Sequence, residues 1–178
     1  FLYYICYSVQ SIKSNSIFEV SANYTVYDFE DLKPNISSFV FRQFSISDST
    51  TICFSKSIYF DFYGFLKLSE QGELLWSSFS MKPARYVKEI LLTPTLRAIY
   101  KNLEFSCGMR YFTLVTYKYN KSEKEVEGDY YSIGPLASIR YVFNDIEINF
   151  LGWFDFITQQ NKIKYDYTNV SCDINWKF

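Results

Sequence analysis

Histidine is missing from this chain of 178 residues, and its absence removes a Ser/His/Asp triad, a Cys/His pair and a histidine metal site together. The four cysteines, Cys6, Cys53, Cys107 and Cys172, stand far apart, without the close pairs that zinc and redox sites use. No metal or cofactor is therefore expected. Basic and acidic residues nearly balance, 18 against 19, and no Lys/Arg block occurs, so attraction to nucleic acid has no electrostatic footprint. No run approaches the roughly 18 apolar residues of a membrane-spanning helix. Glu147 and Asp155 share a face but stand ~27 Å apart at the usual strand rise, and the sequence is not expected to be that of an enzyme. Glycine and proline are also scarce, at six and four. What replaces them is aromatic: 17 Tyr and 18 Phe contribute to an aromatic fraction of 21%, and such residues favour a pleated sheet surface.

Apolar and polar side chains alternate along most of the chain, the period of a strand with two unlike faces. In the stretch LEFSCGMRYFTLVTY, Leu103, Phe105, Cys107, Met109, Tyr111, Thr113, Val115 and Tyr117 form the drier face, while Glu104, Ser106, Gly108 and Arg110 begin the other. IEINFLGWFDF sets Ile146, Ile148, Phe150, Phe154 and Phe156 against Glu147, Asn149, Leu151, Trp153 and Asp155. Strands are expected at about 1–12, 17–28, 38–47, 51–68, 87–100, 103–118, 130–143, 146–158 and 166–178, with ends good to ~2–4 residues.

Two kinds of connection alternate between these strands. Tight turns are read at Lys13–Ser16, Ser47–Thr50, Lys101–Asn102 and Asn144–Asp145. Long polar loops are read from Asp28, Ser69, Lys118 and Thr158. Within the third of these stretches KSEKEVEG reads as a solvated tip; MKPARYVKEILL, Met81–Leu92, reads as a strand projecting from the membrane in preference to a loop helix. Lys56 breaks the alternation and implies either snorkelling or a bulge.

Long strands with tight turns at one end and polar loops at the other describe an antiparallel up-and-down transmembrane β-barrel. Aromatics expected near the short turns, Phe18, Phe54, Tyr100, Phe105, Phe143, Trp176 and Phe178, match an interfacial girdle. In this pattern the chain resembles bacterial outer-membrane β-barrel proteins as a class. Its ending, with Ile174, Trp176 and Phe178 on one face, looks like their C-terminal assembly signal. The resemblance implies location in the outer membrane of a Gram-negative bacterium, contact with outer-membrane lipid, recognition by the barrel assembly machinery, and closure of the last strand on the first. Residues 1–178 read as one domain. The first 14 residues admit two readings, the remains of a signal peptide or a further strand carrying Tyr3, Ile5, Tyr7 and Val9. The barrel accordingly has about eight strands, or is the C-terminal part of a larger one.

The polar faces carry Glu19, Asp61, Lys67, Arg97, Glu104, Arg110, Arg140, Glu147, Asp155, Asp173 and Lys177. They either line a porin-like aqueous passage or pair across strands to fill the interior. The expected role is a passive pore or a structural or surface-interaction protein. A soluble, lipocalin-like barrel binding an apolar ligand is the alternative, and it requires the opposite inside.

Overall fold

The structure, a computed structural model, describes residues 1–27, 37–75, 78–120, 123–159 and 162–176, with backbone alone for 159 and 162–167. Among these, nine strands form one antiparallel sheet in chain order. They are β1 (Leu2–Val9), β2 (Ile12–Thr25), β3 (Phe39–Ser55), β4 (Ile58–Leu75), β5 (Ser80–Tyr100), β6 (Leu103–Asn120), β7 (Glu123–Phe143), β8 (Ile146–Gln159) and β9 (Lys162–Trp176). The all-β, up-and-down order follows the alternation in the sequence. Met81–Leu92 is strand, as expected, because β5 runs unbroken through it.

Strand β1 pairs only with β2, and β9 only with β8. The sheet is therefore open, and closure of the last strand on the first is not found among the described residues. With nine antiparallel strands, β1 and β9 run in the same direction. A direct seam between them would have to be parallel, unlike every other pairing.

Four hairpins turn at one end of the sheet, through Gln10–Ser11, Lys56–Ser57, Lys101–Asn102 and Asn144–Asp145. Gln10, Lys101 and Asn144 take positive φ, at 48°, 55° and 49°, which fits the twist of two-residue hairpin turns. The turns expected at Lys13–Ser16 and Ser47–Thr50 are corrected: both segments lie inside strands, paired with each other from Lys13↔Thr51 to Ile17↔Ser47. Lys56 occupies the true turn, just after a register shift between Cys53 and Ser55, so the bulge reading of this region holds.

At the other end, three of the four expected polar loops are also corrected. Strands β4 and β5 continue to Leu75 and from Ser80, β6 and β7 to Asn120 and from Glu123, β8 and β9 to Gln159 and from Lys162. Polarity on both faces reads as loop in a sequence, yet a paired strand in water tolerates polar residues on both sides. Side-chain contacts hold one such extension together. The Lys124 ammonium lies 3.7 Å from the Tyr86 ring centre, Tyr86 packs on Tyr117, and the Tyr119 hydroxyl donates to Glu70. Burial, then that carboxylate, pushes the Tyr119 hydroxyl up to about 12, so it remains a donor at neutral pH. The connection from Asp28 falls on 28–36, outside the described residues.

Successive hairpins are staggered. Ile12, just past its turn, is opposite Ile52; Ile58 is opposite Ala98; Leu103 is opposite Tyr141. Each hairpin end thus steps by about two residues per pair of strands, the stagger of a sheet whose strands tilt by ~36° in a closed barrel. One face of this staggered sheet is apolar. On β4 it runs Ile58, Phe60, Phe62, Gly64, Leu66, Leu68, and only then Glu70; on β5 it runs Ala98, Leu96, Pro94, Leu92, Ile90, then Lys88. Strand β8 adds Ile148, Phe150, Phe154 and Phe156. Phe54, Tyr100, Phe105, Phe143 and Trp176 lie near the hairpin ends and are 44–69% exposed. Phe18 does not join them, because its strand begins at Ile12 and carries it well above the turn.

Two prolines interrupt the ladder without shifting it. The β5–β6 pairing passes from Leu92↔Tyr111 to Thr95↔Gly108 around Pro94, whose ring nitrogen has no hydrogen to donate. There the backbones come close: a Cβ on Gly108 would sit 2.1 Å from the Pro94 carbonyl oxygen. Gly108→Val should destabilise the fold by ~1–3 kcal/mol, seen as a lower urea midpoint. Gly128→Ala, where a Cβ meets nothing within 4 Å, should leave the midpoint in place; equal midpoints for both variants would contradict the close approach.

Candidate functional site

The face opposite the apolar one carries two ionic clusters. The charged residues of the first span five strands, β4 to β8. Arg97 on β5 donates from Nε to Asp61 Oδ2 at 2.6 Å and from Nη2 to Oδ1 at 3.2 Å. Thr51 on β3 donates to the same Oδ1 at 2.6 Å. Arg97 also lies 3.9 Å from Glu104 on β6, and that carboxylate lies 3.5 Å from Arg140 on β7. Arg140 in turn forks onto Glu147 of β8, at 2.8 and 2.9 Å. Alternation puts all five charged residues on one face; Glu104 and Arg140 stand directly opposite each other, while the other contacts run diagonally between neighbouring strands, so each guanidinium meets carboxylates on two sides. The Arg97 guanidinium further covers the Tyr59 ring at 4.6 Å.

The second cluster is drier. Asp155, 6% exposed, accepts from Arg110 Nη1 at 3.1 and 3.2 Å, from Ser132 Oγ at 2.6 Å and from Trp153 Nε1 at 3.1 Å. Its four contacts occupy both oxygens. Arg110 is on β6 and Asp155 on β8, with β7 between them. The residue opposite Arg110 on β7 is Gly134, so no side chain stands between guanidinium and carboxylate. Gly134 also allows β8 in closely: a Cβ there would lie 1.5 Å from the Phe154 carbonyl oxygen.

Of the candidates read from sequence, the structure joins Asp61, Arg97, Glu104, Arg140 and Glu147 in one network, and Arg110 with Asp155 in another. Glu19 is exposed and meets Ser45 at a long 3.4 Å. Asp173 lies opposite Asn149 in the β8–β9 register, and Lys67 opposite Ser45 and Glu89; none of the three joins either network. Ile174 and Trp176 share the apolar face of β9, 67% and 63% exposed, while Lys177 and Phe178 lie outside the described residues. Thr51, Ser132 and Gly134 escaped the sequence reading, which placed Trp153 on this face but not as a partner of Asp155. The Gly-Pro pair inside a strand was the available signal for Gly134, and the i, i+2 spacing of Trp153 and Asp155 for the indole.

Chemically, the paired carboxylates are held by guanidinium groups that stay charged at any ordinary pH, an arrangement suited to fixing strands in register. It leaves them poorly placed to shuttle protons. Among the described residues no group of three or more His, Cys, Asp or Glu could hold a metal ion, and no helix is long and apolar enough to cross a membrane. No family model, no curated protein and no solved structure matches this chain.

The second network predicts a specific double-mutant result. Asp155→Leu alone should cost ~3–5 kcal/mol, because it leaves the Arg110 charge without its partner in a confined site. Combined with Arg110→Met it should recover most of that loss, while Arg85→Ala, in a pair with both side chains more than 40% exposed, should cost under ~1 kcal/mol. Urea unfolding of the wild type, Asp155→Leu, Arg110→Met, the double variant and Arg85→Ala measures this; additive losses at 110 and 155 would contradict the coupling.

Proposed function

We propose that the chain forms the wall of an integral outer-membrane β-barrel, its apolar face against lipid hydrocarbon and its ion-paired face toward the lumen. The observation that carries this reading is the height of the apolar band. From Ile58 to Leu68 it covers 11 residues before the first charge on that face, and a tilted strand needs ~9–11 to cross the hydrocarbon. Strand β5 has its corresponding charge, Lys88, at the same level. Aromatics at the hairpin ends would sit at one interface, and Tyr86, Tyr117 and Tyr119 near the other. The paired extensions beyond them would stand in water on the outer side.

A direct union of β1 with β9, which run in the same direction, would be the one parallel seam in this wall. The lumen face is locally neutralised by Arg–carboxylate pairs, which favours a passive passage or a structural, surface-interaction scaffold over a charge-selecting channel. Lipid is the constant partner, and the barrel assembly machinery acts during biogenesis, with Ile174 and Trp176 on the face such a signal presents. The soluble carrier of an apolar ligand draws on one observation, a carboxylate on the apolar face at Asp48, which an inward-facing pocket would use to anchor a ligand.

The two readings separate by partition. The protein should stay with outer-membrane pellets through a carbonate wash and come away only in detergent. Met109→Arg, at a mid-band position 51% exposed, should cost ~2–4 kcal/mol and lower the folded yield in membranes. Release of the wild-type protein as a soluble monomer would sink the membrane reading.

A further inference from the structure

One patch of the apolar face does not suit lipid. Asp48 on β3 faces the same way as Ile46 and Ile52, and its neighbours across the sheet are Ser16 and Gly64. Ser14 and Ser16 donate hydroxyl hydrogens to Oδ1 at 2.8 and 2.6 Å, and Thr50 donates to Oδ2 at 2.6 Å. Apolar rows lie on both sides of this group: Ile12, Ile52 and Phe60 toward the hairpins, Phe18, Ile46 and Leu66 away from them. The carboxylate is thus at mid-band, far from either polar margin. Among the described residues no cation pairs with it, and a carboxylate has room for about four donors. Beside it Gly64 opens a depression of about 290 Å³ walled by Ile46, Phe62, Leu66, Ile90 and Leu92.

Ionisable groups at membrane depth are almost always turned toward protein or water and partnered. We propose that this patch is the docking site of a second membrane-embedded polypeptide, which lays apolar side chains over Gly64 and presents a Lys or Arg to Asp48. Charge decides the occupant. A lipid ammonium sits at headgroup depth, remote from a mid-band carboxylate. Among the described residues a second copy of this chain in the same orientation offers on the strands of this face Arg42, Lys88 and Lys124, all above the band, and Lys56 in the hairpin turn below it, none at the level of Asp48. The hydroxyls hold the carboxylate in place without neutralising it, and so leave its charge for a partner. This inference rests on the membrane reading above.

A fluorophore on Ser16→Cys, in a background with the native cysteines replaced, reports on cover at the patch; the same label on Phe150→Cys, 50% exposed on β8 of the same face, reports on open lipid. In native outer membranes loaded with a nitroxide-bearing fatty acid, position 16 should be quenched at least threefold less than position 150. Asp48→Lys should raise quenching at 16 to the level of 150, and Asp48→Glu should keep the shielding. In vesicles of brominated phosphatidylcholine containing the purified protein alone, both positions should quench equally. Equal quenching in native membranes, shielding that survives Asp48→Lys, or shielding that persists in the pure vesicles would each overturn the proposal. Quenching of position 150 by aqueous iodide instead of the lipid probe would instead remove the membrane reading itself.

Discussion

Register is the constraint on which this structure depends. Side chains alternate strictly along a strand, so a slip of one residue between neighbours would turn every side chain of one strand to the wrong face. The sheet keeps its register where that matters. Its shifts lie at Cys53/Ser55, Gln71/Gly72, Thr116/Tyr117 and Ile157/Thr158, at the hairpin end or the far margin of the apolar band. Between those margins the pairing is skipped at prolines but never displaced. The ion pairs serve the same end: Arg97, Glu104, Arg140 and Glu147 bind neighbouring strands, Glu104 directly opposite Arg140 and the others diagonally, and Arg110 reaches across a whole strand to Asp155.

Much of this was legible in the sequence, and the failures have a common cause. Strands β6 and β8 and the turns at Lys101–Asn102 and Asn144–Asp145 follow from alternation and turn chemistry. The two misplaced turns, Lys13–Ser16 and Ser47–Thr50, have the Ser, Asn, Asp and Thr composition of a turn. In the folded chain they are neighbours, and Ser14, Ser16 and Thr50 all bond to Asp48. Polar residues that satisfy one another across two strands look, in one dimension, like two loops. The extensions past Glu70 and Lys118 were read as loops because both faces turn polar there; a sequence window sees no period and cannot see the partner strand.

The clusters on the polar face were only half visible. That acids and bases share this face follows from counting by twos, but which of them meet depends on the stagger between hairpins, which no single strand encodes. Gly134 shows the point most clearly, since its contribution is the side chain it does not have. Pairing also shapes the functional reading. A face whose charges are neutralised strand by strand exerts little long-range pull on solutes, and suits a scaffold or passive passage.

The assignment of faces is open to one direct measurement. Nitroxide labels placed singly from position 103 to 117 along β6, in the membrane-inserted protein, report collisions with oxygen, which concentrates in hydrocarbon, and with a water-soluble nickel chelate. Oxygen accessibility should peak at 105, 107, 109 and 111 and fall at 104, 106, 108 and 110, with the nickel profile in opposite phase. A two-residue period with oxygen peaking at the even positions would put the charged face in lipid and contradict the arrangement proposed here.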